Sequence, residues 1–337
     1  MKILFIGGTG TISMAITRLL AGQGHELYLL NRGNRNEDLP DNVHLIISDI
    51  GDEQATAEKL GGMEFDCVGE FIGFVPSQLE RDYRLFKGKT GQFIYISSAS
   101  AYQKPPESYI ITEDTPLENP YWEYSRNKKA CEEYLMERFR EDGFPVTIVR
   151  PSHTYDERSV PLGVHGNGGS WQVVKRIKEG KQVIIHGDGT SLWTITHNSD
   201  FAKAYVGLIG NPRAIGKAFH ITSDESVSWN HIYQAIADAL GVTLRPYYVS
   251  SQTLADMSGY DFVGSLIGDK SNSVQFDNSR IKSLVPDFKC QVSAHEGIRA
   301  TVEYILAHPE YQTEDKEFDE WCDRVIAALD KAKEGFK

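Results

Sequence analysis

The stretch ILFIGGTGTISMAI, residues 3–16, decides how the rest of the chain is read. An apolar run, Ile3 to Ile6, leads straight into Gly7, Gly8 and Gly10, and the apolar spacing then changes to that of a helix. Glycines between a buried strand and a helix N-terminus let the backbone turn tightly and approach a pyrophosphate, whose charge is held by main-chain amides and the helix dipole. Thr9, Thr11 and Ile12 complete the same candidate cofactor turn. Ser13 stands where a third glycine would close the pattern, so the helix–strand packing must tolerate a small hydroxyl, which loosens the match.

Outward from this turn, short apolar runs alternate with amphipathic stretches: ELYLL (26–30), VHLII (43–47), FDCVGEFIGF (65–74), QFIYIS (92–97) and PVTIVR (145–150). Helices are expected over 12–22, 53–60, 78–86 and 123–140. Strands buried on both faces and joined by helical crossovers predict an α/β fold, a Rossmann-type doubly wound parallel sheet. After Arg150 the pattern gives way to Gly- and Pro-containing loops such as SVPLGVHGNGGSW (159–171), then to helical stretches near 296–308 and 318–332. We expect a dinucleotide-binding domain over 1–152, with 194–222 returning to it. A smaller C-terminal α/β substrate lobe is expected over 153–193 and 223–337.

The chain has 337 residues, a formal charge of -12 and 40% hydrophobic residues, the make-up of a soluble globular protein. That charge repels nucleic acid and anionic membranes, so a small-molecule substrate is expected, with neither as partner. Cys67, Cys131, Cys290 and Cys322 show no metal-ligand spacing, and no metal is expected. The N-terminal apolar run is too short for a signal peptide or membrane span, which predicts a cytoplasmic protein.

The second strand ends in LYLLNRG, where a carboxylate usually binds the adenosine ribose of NAD. Asn31 carries no charge there and Arg32 follows it, with Arg35 as helper, so NADP is preferred over NAD. Asp49 and Ile50, at the end of the third strand, are candidates to bracket the adenine.

Tyr124 and Lys128 lie four apart in EYSRNKKACEEYL and share one helix face. Tyr83 and Lys87 have the same spacing but precede the ISSAS strand end, on a helix whose last turn faces away from the cofactor. Tyr124 follows it, at a distance that can bring the phenol over the same sheet edge. A phenol with a reference pKa near 10 needs an adjacent ammonium and an oxidised nicotinamide to act as a base, and Lys128 can supply the ammonium and hold the nicotinamide ribose.

These features resemble the extended short-chain dehydrogenases/reductases of the NAD-dependent epimerase/dehydratase superfamily. The resemblance runs through GGTGTIS (7–13), SDI (48–50), FIYISSASAY (93–102), YSRNK (124–128), IVRPSHTY (148–155), HGDG with HNSDFAKA (186–189 and 197–204) and FDNSRIKS (276–283). It implies that Ser98, directly before the alanine of SSA, is the catalytic hydroxyl beside Tyr124 and Lys128. It also implies that Phe71, Pro151 and His153 border the cofactor, and that the chain forms a homodimer.

Two departures bear on substrate. The Asp-Glu pair of 4,6-dehydratases is replaced by Ala99 and Ser100, which disfavours water elimination. Trp193 stands where nucleotide-sugar enzymes usually carry a diphosphate-gripping arginine, so a stacking wall replaces a phosphate clamp. Phe74, Ser100, Trp193 and His197 are the candidate substrate contacts. The expected activity is hydride exchange with a secondary alcohol or ketone carbon of a small, sugar-like substrate by an NAD(P)-dependent epimerase or dehydrogenase. The alternatives are a non-catalytic NAD(P)-binding regulator and an RNA-binding protein on the same fold.

Overall fold

The structure, a computed structural model, describes residues 1–35, 39–257 and 259–336. Seven strands, β1 (Lys2–Ile6), β2 (Glu26–Asn31), β3 (Val43–Ile47), β4 (Cys67–Glu70), β5 (Phe93–Ile96), β6 (Val146–Pro151) and β7 (Lys217–Ile221), form one sheet in the order β7-β6-β5-β4-β1-β2-β3. Every pairing in it is parallel. The order reverses at β1 and β4, and the C-terminal crevice there is where ligands of such sheets bind.

The period-2 alternation of β1 supplies both faces of the sheet. Ile3 and Phe5 join Leu27, Leu29, Ile94 and Val149 beneath helices α1 (Ser13–Ala21) and α6 (Asn198–Leu208). Leu4 and Ile6 join Val68, Phe93 and Ile148 beneath α2 (Glu53–Leu60), α3 (Pro76–Phe86) and α4 (Glu123–Asp142). The edge strand β3 departs from the expected burial on both faces: Ile47 is 54% exposed.

The expected strand 65–74 is also shorter, ending at Glu70. The Ile72 N–H donates to Glu70 Oε1 at 2.6 Å and turns the chain off the sheet. Phe71, Ile72 and Phe74 are thereby delivered to the crevice.

A further apolar cluster gathers residues from Tyr155 to Trp193 with residues from Val227 onward. It packs α5 (Trp171–Lys178), α7 (Trp229–Leu240), α8 (Ala294–Ala307) and α9 (Lys316–Glu334) around short strand pairs, Val183–His186 with Pro246–Val249 and Leu192–Trp193 with Val227–Ser228. A π-helical stretch, Val263–Lys270, brings the chain back toward the start of α4, where Asn119 Nδ2 donates to Gly268 O at 2.6 Å. Among the described residues no helix is long and apolar enough to cross a membrane.

Candidate active site

The glycine turn is held by its own hydroxyls. Ser13 Oγ donates to Gly7 O at 2.8 Å and accepts the Gly10 N–H at 2.9 Å, while Thr17 Oγ1 donates to Gly8 O at 2.9 Å. The serine expected to loosen the motif instead braces it, because a hydroxyl can bridge the two ends of the turn where a third glycine could not. Asn198 Nδ2, at the start of α6, donates to Thr11 O at 3.0 Å, and Arg158 Nη2 lies 3.5 Å from Thr11 Oγ1. Sequence reasoning missed both, since each is remote in sequence from the turn it supports.

In front of the turn lies a cavity of about 350 Å³. Gly7, Gly10, Thr11, Ile12, Phe71, Phe74, Lys128, Pro151 and His153 line it, together with Ser98 and Tyr124. The glycines have different reasons to be glycine. Gly7 has φ of +83°, and a Cβ on Gly8 would stand 2.4 Å from Leu29 Cδ2. A Cβ on Gly10 would meet only Ser13 Oγ at 3.6 Å, so the protein leaves that side open toward the cavity. An open glycine, a helix N-terminus and the buried, unpartnered Ser97 Oγ fit a dinucleotide. Gly8 and Thr9 are buried behind the turn.

The adenosine candidates lie apart from this cavity. Asn31 Oδ1 accepts the Gly33 N–H at 2.8 Å, and Arg32 and Arg35 are exposed. Asp49 is exposed, with Oδ1 accepting the Gly51 N–H at 2.9 Å, and Ile50 is buried in the sheet core.

A second cavity, of about 240 Å³, shares Ser98, Tyr124, Pro151, Ser152 and His153 with the first. Ser98 and Tyr124 thus stand at the junction of the two. The Ser98 hydroxyl is set by a chain: Ser125 Oγ donates to Ser100 Oγ at 2.8 Å, and Ser100 Oγ lies 2.9 Å from Ser98 Oγ, which also accepts the Ser100 N–H at 3.1 Å. Asn119 Nδ2 donates to Ser100 O at 2.7 Å. Ser100 lines the second cavity, but its hydroxyl is engaged in holding Ser98.

Lys128 Nζ donates to Gly73 O at 2.7 Å and to Ile96 O at 2.8 Å and stands 5.7 Å from the centre of the Tyr124 ring. Burial pulls its pKa down to about 8. In the protein without dinucleotide, burial raises the Tyr124 pKa and the hydrogen bond from Ser98 opposes that rise. Desolvating a phenol disfavours the phenolate, and in the protein alone this outweighs the surrounding polar groups. Tyr83 serves elsewhere, donating to Asp142 Oδ2 at 2.5 Å and tying α3 to the far end of α4.

Trp193 is buried, stacks on Trp229 at 6.2 Å between ring centres and also lines the second cavity. Phe74 is 45% exposed, with its ring centre 6.4 Å from that of Tyr124, which is no core position. His153 lines both cavities, and burial pulls its pKa down to about 3, leaving it neutral. His197 lines neither cavity, and its Nδ1 caps α6 by accepting the Ser199 N–H at 3.3 Å.

Trp122, Ser152, Asp269 and Lys270 also line the second cavity and were missed. Trp122, two residues before Tyr124, was the most legible. Asp269 and Lys270 lie far down the chain, in GDKSN, where no spacing marks them.

A family model described as NAD dependent epimerase/dehydratase family matches residues 3–222. A 2'-dehydrokanamycin reductase of Streptomyces kanamyceticus is 23% identical, covering 76% of this chain and 71% of its own. The chloroplast stem-loop binding protein of 41 kDa b of Arabidopsis thaliana is 27% identical over 71% of this chain and 63% of its own. Among solved structures, a UDP-glucuronic acid 4-epimerase from Bacillus cereus, in complex with UDP-glucuronic acid and NAD, superposes with a TM-score of 0.73 at 20% identity. It covers 91% of this chain and 99% of that one. At that identity the likeness shows the fold.

Proposed function

The chain belongs to the NAD dependent epimerase/dehydratase family and is an enzyme of the extended short-chain dehydrogenase/reductase type, and from that premise we propose that it exchanges hydride with a secondary alcohol or ketone carbon of a small, sugar-like substrate. One observation carries the reading: Ser98 and Tyr124 line both the cavity before the glycine turn and the smaller cavity beside it.

When bound, the oxidised dinucleotide supplies the hydride acceptor and a positive charge beside the phenol. Substrate in the second cavity has its oxygen held by the Ser98 hydroxyl, which the Ser125–Ser100 chain keeps in one orientation. Tyr124 takes or returns the proton of that oxygen. Lys128, with two of its three N–H groups on carbonyls, presents a fixed ammonium beneath the phenol and keeps one donor for a ligand. Ala99 and Ser100 offer no acid–base pair for water elimination, so oxidoreduction or epimerisation is favoured over dehydration.

A panel of secondary alcohols and keto-sugars read at the nicotinamide absorbance band tests this. Tyr124→Phe should lose at least about 100-fold in rate, the scale of one general acid–base group, while dinucleotide affinity stays within about threefold. Full activity in that variant would refute the assignment.

We further propose NADP as the preferred dinucleotide, supported by the uncharged Asn31 and the exposed Arg32 and Arg35. Arg32→Ala should weaken NADP binding at least about tenfold, the loss of a charge-assisted contact, and leave NAD affinity unchanged. Equal affinities for NAD and NADP in the parent protein would overturn the preference. An RNA-binding role gains nothing from the net charge of -12.

A further inference from the structure

Beside the second cavity lies charge that the hydride chemistry does not use. Lys104, Asp269 and Lys270 are each no more than 9% exposed. One carboxylate stands between two ammonium groups: Asp269 Oδ1 is 3.7 Å from Lys104 Nζ, and Asp269 Oδ2 is 3.9 Å from Lys270 Nζ. Both separations are too long for hydrogen bonds, and Asp269 Oδ1 has no hydrogen-bond partner.

The remaining groups lining the cavity bring no second carboxylate to the two ammonium groups. His153 is neutral, Tyr124 holds its proton, and Ser98, Ser152, Trp122 and Trp193 carry none. Lys104 lines a different cavity, beside Asn119 and Arg126. Lys270 lines the one that contains Tyr124, with its ammonium 5.6 Å from the centre of a Trp122 ring. Its backbone is pinned, since Lys270 O accepts from Trp229 Nε1 at 3.0 Å and His186 Nε2 at 3.3 Å. A nearly buried ammonium on a fixed root, sharing one carboxylate with another, is a costly arrangement that an anion in the cavity would relieve.

We propose that the substrate is a compact hydroxylated ring bearing an anionic group, which pairs with Lys270 while the ring lies between Trp122 and Trp193. Lys270 is then the residue that selects substrate charge. The inference rests on the Ser98/Tyr124 reading of the site. The volume of about 240 Å³ suits a single sugar-sized ring. A carboxylate and a phosphate monoester share the required chemistry.

Calorimetric titration of the dinucleotide-loaded protein with glucuronate, glucose 6-phosphate, glucose and methyl glucuronate tests the proposal. At least one anion should bind about tenfold or more tightly than both neutral sugars, and which anion leads identifies the group. Lys270→Met should remove that preference without weakening neutral binding, and Lys270→Arg should restore part of it. The proposal is overturned if the neutral sugars bind as well as the anions, if Lys270→Met keeps the preference, or if none of the four binds. Should Lys270→Met not fold, Lys270→Gln gives the same reading. Tyr124→Phe should retain the anion preference. Selectivity without turnover in the parent protein would sink the hydride reading and leave this one standing.

Discussion

Gly8 and Gly10 stand two residues apart in one turn, yet the space around them differs. Gly8→Ala would drive a methyl into Leu29 Cδ2 and should cost roughly 1–3 kcal/mol of stability, read by urea denaturation. Gly10→Ala meets only Ser13 Oγ, so its midpoint should stay near the parent's while dinucleotide affinity falls at least about tenfold. Loss of stability at Gly10 with affinity unchanged would contradict the cradle. Glu70 makes a second test at this scale. Burial, with the Asp82 charge adding, raises its pKa well above the ordinary 4.5, so the folded chain keeps a proton that the unfolded chain releases as pH rises past 4.5. Folding is therefore penalised increasingly above that pH, by up to about 1.4 kcal/mol per pH unit. Glu70→Gln, which can still accept the Ile72 N–H, should become more stable than the parent above pH 4.5, with a gap that widens with pH. Parallel pH–stability curves would contradict it. The glycine turn was readable because backbone sterics write themselves into residue type. The upward shift of the Tyr124 phenol was not, because burial is set by every residue packed around it.

Helix α4 carries both Tyr124 and Lys128, and what fixes it is a buried ion pair from the neighbouring strand. Arg150 on β6 reaches Glu132 on α4 with Nη2 to Oε2 at 2.6 Å and Nε to Oε1 at 2.9 Å, while its Nη1 donates to Tyr102 Oη at 3.1 Å and Glu113 O at 3.0 Å. Removing one partner strands the other charge, so Arg150→Met should cost about 3–5 kcal/mol in urea denaturation. The double change Arg150→Met with Glu132→Leu should recover a good part of that loss. A single variant within about 0.5 kcal/mol of the parent would show that the pair does not hold the helix. The four-residue spacing of Tyr124 and Lys128 was legible because a helix repeats locally. The brace from Arg150 was not, since a strand sequence gives no sign of which helix will cover it. The same holds for the stretch Val263–Lys270, whose π-helical form and placement over Trp122 follow from packing rather than from any local pattern.

At the scale of the molecule, the alternation of apolar runs was enough to predict the parallel sheet, because strands with helices on both sides must be apolar on both. It could not foretell that the later chain would meet the site as it does. Asp269 and Lys270 stand more than a hundred residues beyond Tyr124, and only the assembled lobe brings them to the wall of its cavity. The two cavities share Ser98 and Tyr124, and the proposal that one holds the dinucleotide and the other the substrate stands or falls on that meeting. A crystal structure of the protein with its dinucleotide bound measures it most directly. The account predicts the Tyr124 oxygen within about 3–4 Å of the place a substrate oxygen would occupy above the reactive nicotinamide carbon, with Ser98 Oγ on the same side. A nicotinamide ring lying away from Tyr124, or a pyrophosphate bound anywhere but at the Gly7–Gly10 turn, would contradict it.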